Sequence, residues 1–525
     1  MAPAAGDTLL DPSCGDGEFL LGAARFLLDS RSVKDAPELI DRLVGFDVNA
    51  AAVAAAKTRV CALVRERLGV RVEPDDLRIY CENALDFPDR HSLELRLGTF
   101  RGRLLIIGNP PYVEAKRLST ELKAELKQRY PSAASGAPDL YLYFLHACLD
   151  WLTPVDRLAL VLPNRILVNT NGRALRERLL EQRQLWGIDF ATRTQVFPGA
   201  AVYPVVLYAV GSRGGNDTLR LASILRRDDA LLRSPLPAVA PEFYRATTCR
   251  AFFPSPESPA LAELLEHLVN SLKAGRLADV LDIRWAVSFH RQGLRERYVK
   301  LSRDGMEHAQ PFLGGGTFSG NGDVERYRAQ WSGWWIDYDT ARLRDESNQL
   351  PPLDLFGQPK IVICQNSRTF RVAYDDRGYV LKDTLLCGLL RNADHPLVRH
   401  PRALVGLLSS QVAHFYYSHL FHGGHVNGGY LHFLRSFLAD IPLGNWTDAT
   451  AAGVDELVRK RECMDSGGSA QVVEGQIEAL VAEAFGLGDP QLAALRVWAG
   501  ADENWQARDR VGRRAERQTM GEHPA

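Results

Sequence analysis

From residue 7 to about 210, short apolar runs alternate with stretches of helical periodicity, the pattern of a parallel sheet covered by helices on its faces. The apolar runs predict strands at 8–10, 43–46, 77–80, 104–107, 157–162, 185–190 and 205–210. Between them, 50–68 is alanine-rich with helical spacing, and 140–152 carries a strongly apolar face that Thr153-Pro154 breaks. The expectation is one doubly wound, Rossmann-like α/β domain.

Gly211-Ser212-Arg213-Gly214-Gly215-Asn216 interrupts the chain after the last of these strands, which sets a domain boundary near 215. Beyond it the alternation is lost, and aromatic and glycine-rich segments take over, an α+β pattern running to about 500. From 501 to 525 the sequence is charged and poor in apolar residues, which predicts a disordered tail.

A length of 525 residues and 46% hydrophobic content provide for two or three cores of ordinary size. The formal net charge of -1 announces no global field for nucleic acid, so any such surface must be a local patch. The eight cysteines are scattered with no CxxC pair, and His414, His419, His422, His425 and His432 lack a carboxylate or thiol partner. No metal site is expected. No run of about 18 apolar residues appears, and the N-terminus does not read as a secretory leader, so a cytoplasmic protein without a membrane span is expected.

The first strand runs into Asp11-Pro12-Ser13-Cys14-Gly15-Asp16-Gly17-Glu18-Phe19-Leu20, where glycines permit a tight turn and close approach of backbone to a bound nucleoside. Asp47 ends the next strand, about 30 residues on, where Rossmann-like sites place an acid for ribose hydroxyls. The turn is not G-x-G-x-x-G, and a phosphate there would meet Asp11, Asp16 and Glu18. Three acids favour a cationic ligand without phosphate, and a sulfonium nucleoside with a free amino group meets that demand.

The fourth strand ends in Gly108-Asn109-Pro110-Pro111-Tyr112, at the carboxyl edge where open α/β sheets bind ligands. Two prolines stiffen the loop, holding the Asn109 side-chain oxygen and the Pro110 carbonyl as acceptors while Tyr112 offers a flat face to a planar ring. A conjugated exocyclic amine has two hydrogens to donate and a lone pair withdrawn into its ring. Accepting both hydrogens draws the nitrogen toward tetrahedral geometry and frees the pair for attack on an electrophilic methyl group. No Pro-Cys pair supplies the thiolate that methylation of a cytosine ring carbon requires.

Asp-Pro-x-Cys-Gly-x-Gly-x-Phe-Leu followed by Gly-Asn-Pro-Pro-Tyr resembles the gamma class of adenine-N6 DNA methyltransferases, the TaqI-type enzymes of restriction-modification and related defence systems. Three further blocks are similar to later blocks of that family's catalytic domain: Asp139-Leu140-Tyr141-Leu142-Tyr143-Phe144, Val161-Leu162-Pro163-Asn164-Arg165 and Gln195-Val196-Phe197-Pro198-Gly199. Segments 360–368, 372–379, 404–416 and 441–443 resemble its recognition region.

The resemblance implies an S-adenosylmethionine-dependent methyltransferase domain over 1–215 and a DNA target-recognition domain over 216–500. Asn109, Pro110 and Tyr112 would be catalytic, and Asp11, Cys14, Gly15, Gly17, Asp47 and Asn83 would hold the cofactor. Asn83 would accept the hydrogen bond of the cofactor's adenine amino group, where the family often has an acid. Tyr112 and Phe197 would stack on an adenine flipped out of duplex DNA. Base-reading loops are expected around 314–322 and 421–430.

The family carries a segment before its first strand, usually with a Thr-Pro, that closes over the methionine part of the cofactor. Only about six residues precede that strand here, so the domain is expected to start further upstream. Cutting, if it occurs, is expected of a separate restriction endonuclease or defence-system subunit. Competing readings are a methyltransferase acting on protein glutamine or on cytosine N4, and a non-catalytic DNA-binding subunit.

Overall fold

The computed structural model describes residues 3–30, 32–131, 136–181, 184–189, 204–211, 219–223, 241–253, 256, 258–289, 293–314, 323–341, 343, 350–421, 430–465 and 467–506. They form two compact units, one of residues 1–245 with 249–255 and one of residues 246–248 with 256–525.

The first unit is built on an eight-stranded sheet: β1 (Thr8–Asp11), β2 (Leu43–Asp47), β3 (Ile79–Cys81), β4 (Leu104–Gly108), β5 (Arg157–Pro163), β6 (Gln184–Asp189), β7 (Pro204–Val210) and β8 (Leu219–Ser223), in the order β3-β2-β1-β4-β5-β7-β6-β8. Strands β1 to β5 are parallel. The sheet is not parallel throughout, as the sequence pattern had implied, because β7 runs antiparallel to both β5 and β6. The apolar run that forms β7 is equally suited to either direction. Strand β8 was not expected at all. It pairs parallel with β6, so this sheet continues past the break read at 215.

Around the sheet lie α1 (Glu18–Asp29), α2 (Ala36–Arg42), α3 (Ala50–Leu68), α4 (Arg90–Leu97), α5 (Thr120–Arg129), α6 (Leu140–Trp151) and α7 (Arg173–Leu180). Helix α3 starts where the Asn49 side chain accepts from the Ala51 and Ala52 amides and stops at Gly69, whose φ of 69° suits glycine. Leu20, Leu21, Ala24 and Leu27 of α1 and Ala56, Val60 and Val64 of α3 pack into one core with Leu9, Leu43, Ile79 and Leu105 of the sheet. Helix α6 is apolar over most of its circumference, and ten of its residues are buried.

Sequence order runs outward in both directions from β1 and β4, the switch point where an open α/β sheet leaves a crevice at its carboxyl edge. The ends of β1 and β4 therefore place Asp11 and Asn109 on either side of that crevice.

The second unit is α+β. One antiparallel sheet orders Val372–Asp375, Lys360–Cys364, Leu385–Leu390 and Leu281–Trp285. A second sheet of four strands and a two-stranded pair accompany it, with helices including Arg402–Leu408, Gln411–Leu420, Asp448–Glu462, Gly468–Ala484 and Asp489–Ala501. Lys360 and Asp375 form a fully buried ion pair at 2.6 Å, and the ammonium also donates to the Phe356 carbonyl.

Residues 501–506 of the segment expected to be a disordered tail are folded, and 507–525 lie outside the described residues. Residues Glu503–Gln506 form a helical turn that buries Trp505 against His414, and His414 Nε2 lies 3.3 Å from Asp502. His419 joins this aromatic cluster, and burial lowers its pKa to about 4. His432 instead bonds Asn366, and His422 and His425 lie outside the described residues. Among the described residues no group of His, Cys, Asp and Glu converges as a metal site, and no helix is long and apolar enough to cross a membrane.

Candidate active site

After Asp11 the chain turns through Gly15 (φ 52°) and Gly17 (φ 92°), conformations that favour glycine. A Cβ on Gly17 would stand 3.0 Å from that of Ala56, so a side chain there would have to push against α3. Asp47 holds the turn together: one carboxylate oxygen accepts from the Gly15 amide at 2.9 Å and the other from Asn49 at 2.8 Å. The Cys14 thiol belongs to the core, against Leu20 and Gly45.

The acidity inferred for the turn is narrower than the sequence suggested. Arg59 of α3 pairs with Asp16 at 2.8 Å and Glu18 at 2.5 Å and neutralises both on the protein's outside. Asp11 is different. It is fully buried, one oxygen accepts the Ser13 amide at 3.0 Å, and the other has no hydrogen-bond partner among the described residues. Burial raises its carboxyl to about 7, opposed by the Ser13 amide and reinforced by the charge of Asp47.

Gly108 ends β4 directly against this carboxylate: a Cβ there would lie 2.6 Å from Asp11 Oδ1. Gly108→Ala should therefore displace Asp11, destabilise the first unit by about 1–3 kcal/mol and weaken any cationic ligand held by that carboxylate. Thermal melts and titration calorimetry with S-adenosylmethionine check this; unchanged affinity would remove Asp11 from the ligand site.

The loop after Gly108 is tethered at both ends. The Ser13 hydroxyl donates to the Asn109 carbonyl at 3.4 Å, which ties the loop to the glycine-rich turn. At the far end Asp139, before α6, accepts the Ala115 amide at 2.8 Å, and the Leu140 amide donates to Val113 O at 2.9 Å. This anchoring role of Asp139 was not expected from the sequence, although an Asp just before an apolar helix is a recognisable signal. Pro110 is buried. Asn109 Oδ1 and the Tyr112 hydroxyl are both buried without a partner among the described residues, and burial pushes the Tyr112 pKa up, keeping it neutral. The Tyr112 ring meets Tyr141 edge-on at 6.3 Å between centroids.

Asn83 is less free than expected. Its side-chain oxygen caps the turn Ala84–Asp86 by accepting from Leu85 at 3.1 Å, which leaves only its second lone pair for a ligand. Neighbouring Glu82 is held by Arg96. Phe197 lies outside the described residues, as do most of the two loops expected to read bases.

Residues 41–197 match the Eco57I restriction-modification methylase model, and residues 317–443 match the TaqI-like C-terminal specificity domain. The two matches thus mark a restriction-modification methylase domain in the first half of the chain and a TaqI-like specificity domain in the second. The methylase match takes in Asp47, Asn83, the Asn109–Tyr112 loop and Phe197, and it begins after the glycine-rich turn.

The Type II methyltransferase M.BanIII of Aneurinibacillus aneurinilyticus is 31% identical over 203 residues, 37% of this chain and 32% of its own length. M.XhoI of Xanthomonas vasicola is 29% identical over 210 residues, 38% of this chain and 36% of its own. The matched region thus spans about a third of either relative. Among solved structures, the Type IIL restriction-modification enzyme MmeI in complex with DNA aligns over 97% of this chain and 74% of its own, with TM-score 0.59 and 13% identity. A nuclease-deletion mutant of the Type ISP enzyme LlaGI with a DNA substrate mimic aligns over 87% and 44%, with TM-score 0.56 and 12% identity. At those identities the likeness is one of fold.

Proposed function

We propose that this methylase transfers a methyl group from S-adenosylmethionine to the N6 amino group of an adenine flipped out of duplex DNA, at a site chosen by the second unit. The observation that carries this reading is the pairing, at one switch point, of a buried carboxylate oxygen on Asp11 with a buried amide oxygen on Asn109, neither with a partner among the described residues. A buried polar atom without a partner costs about 1–3 kcal/mol, so such atoms mark places where a ligand completes the bonding.

The donor set fits the cofactor. Asp11 suits its cationic amino group, Asp47 its ribose hydroxyls, and the close-packed turn at Gly15 and Gly17 admits a nucleoside without presenting a phosphate site. When bound, S-adenosylmethionine supplies an electrophilic methyl group. Asn109 Oδ1 and the Pro110 carbonyl accept the two amine hydrogens and so localise the lone pair on nitrogen. Tyr112 stacks on the ring and offsets part of the cost of extruding the base, with Phe197 proposed on its other face. The neutral Tyr112 hydroxyl takes no proton from the amine.

DNA is the proposed partner and the cytoplasm the proposed setting, with any cleavage left to a separate restriction endonuclease or defence-system subunit. Single-molecule sequencing of DNA from a methylation-free host expressing the chain tests the reading. N6-methyladenine in one sequence context is expected. Unmodified DNA, or label passed from cofactor to protein glutamine, overturns it.

A further inference from the structure

We propose that Asn164 reads the target base, its side-chain amide donating a hydrogen bond to a ring nitrogen beside the reacting amine. The inference rests on the methyl-transfer reading above and adds a residue to that site.

Among the described residues of the first unit, five side chains bury a polar atom with no hydrogen-bond partner: Asp11, Asn109, Tyr112, Arg157 and Asn164. Arg157 opens β5 at the amino edge of the sheet. The other four stand at the carboxyl edges of β1, β4 and β5. The orphaned atom of Asn164 is the amide nitrogen, a donor only, and the residue is 3% exposed. Leaving it unmet carries the same penalty as at Asn109, so an acceptor on a ligand is called for.

Its position suits that ligand. Strands β4 and β5 run parallel with Gly108 beside Leu160, so the chain leaves both strands at the same edge. Tyr112 follows four residues after Gly108, and Asn164 four after Leu160.

The turn Asn164–Leu167 is also held rigidly. The guanidinium of Arg176, fully buried, donates to the carbonyls of Ile166 at 2.7 Å, Asn169 at 2.6 Å, Cys249 at 2.5 Å and Arg250 at 2.8 Å. It also reaches Asn169 Oδ1 at 3.2 Å, while Asn169 Nδ2 donates to the Tyr141 hydroxyl at 3.2 Å, on the ring that Tyr112 packs against. One scaffold therefore positions both the stacking ring and the unpaired donor.

The chemistry is complementary. With the amine hydrogens taken by Asn109 and Pro110, the adenine atoms flanking the amine are N1 and N7, both acceptors. A fixed donor meets either one. Facing N1, it also rejects guanine, which carries a hydrogen there.

The test uses the full chain and duplex oligonucleotides bearing adenine, 1-deazaadenine or 7-deazaadenine at the target position, once sequencing has located it. Single-turnover methyl transfer is measured for the wild type, Asn164→Ala and the near-isosteric Asn164→Asp, with thermal melts to confirm folding. One deaza analogue should slow the wild type about tenfold, the loss of one hydrogen bond to substrate. Asn164→Ala should slow adenine to a similar degree and abolish the difference between adenine and that analogue. Asn164→Asp, an acceptor in place of a donor, should be slower still, and decides the matter should the alanine variant fail to fold. Variants that keep the wild-type discrimination overturn the proposal, whatever their absolute rate. A wild type that methylates none of the three oligonucleotides brings down the underlying reading first, before any variant is compared.

Discussion

Asn109→Ala is expected to lower single-turnover methyl transfer by roughly 100- to 1,000-fold, the usual cost of removing one preorganised acceptor aimed at developing charge. The loss should fall on kcat and leave KM for DNA nearly unchanged, because the bond is worth most when the amine nitrogen turns tetrahedral. Stability should hold or rise slightly. Asn109 Oδ1 is buried without a partner among the described residues, so its removal relieves an unmet acceptor. The backbone carbonyl that accepts from Ser13 survives the substitution. Tyr112→Phe separates ring from hydroxyl: if stacking is what Tyr112 contributes, the variant retains most activity whereas Tyr112→Ala does not. Undiminished transfer by Asn109→Ala on a confirmed substrate would remove the residue from the catalytic role.

The sequence disclosed this loop because Pro110 and Pro111 announce a rigid exit from a strand, and local stiffness is a local property. The same holds for α3, whose Asn49 cap and Gly69 stop are neighbours of the periodic run they bound. What stayed hidden depends on distant partners. Asp16 and Glu18 looked like uncompensated charge because nothing in their neighbourhood shows that Arg59, more than 40 residues on, would reach back to them. The direction of β7 is a property of its pairing with β5 and β6, to which a run of apolar residues is indifferent. Asn83 is an intermediate case. Its capping of Ala84–Asp86 is a short-range bond, legible in principle from an Asn ahead of a turn, and it was masked by the expectation that the oxygen faces a ligand.

Asp11→Asn is expected to abolish S-adenosylmethionine binding while stabilising the first unit. A carboxyl raised from 3.8 to about 7 binds its proton more readily in the folded than in the unfolded chain, so the folded state loses stability as pH rises from about 4 to 7 and bears the whole penalty above that. The penalty reaches about 4 kcal/mol at most. Asparagine keeps the acceptor for the Ser13 amide and leaves one unpaired donor, costing about 1–3 kcal/mol, so the net gain at pH 8 is about 1–3 kcal/mol. In melting experiments the variant should stand several degrees above wild type at pH 8, with the difference vanishing and then reversing as pH falls toward 4. Binding behaves in the opposite sense. A cationic amino group requires the carboxylate form, whose population in the free protein rises about tenfold between pH 6 and 8 for a group titrating near 7, so wild-type affinity should rise by a similar factor. A variant that melts higher at pH 8 but still binds the cofactor would leave Asp11 as a purely structural strain. One that neither melts higher nor binds less would show that the unpartnered oxygen is satisfied in solution, and the cofactor's amino group would then need another carboxylate.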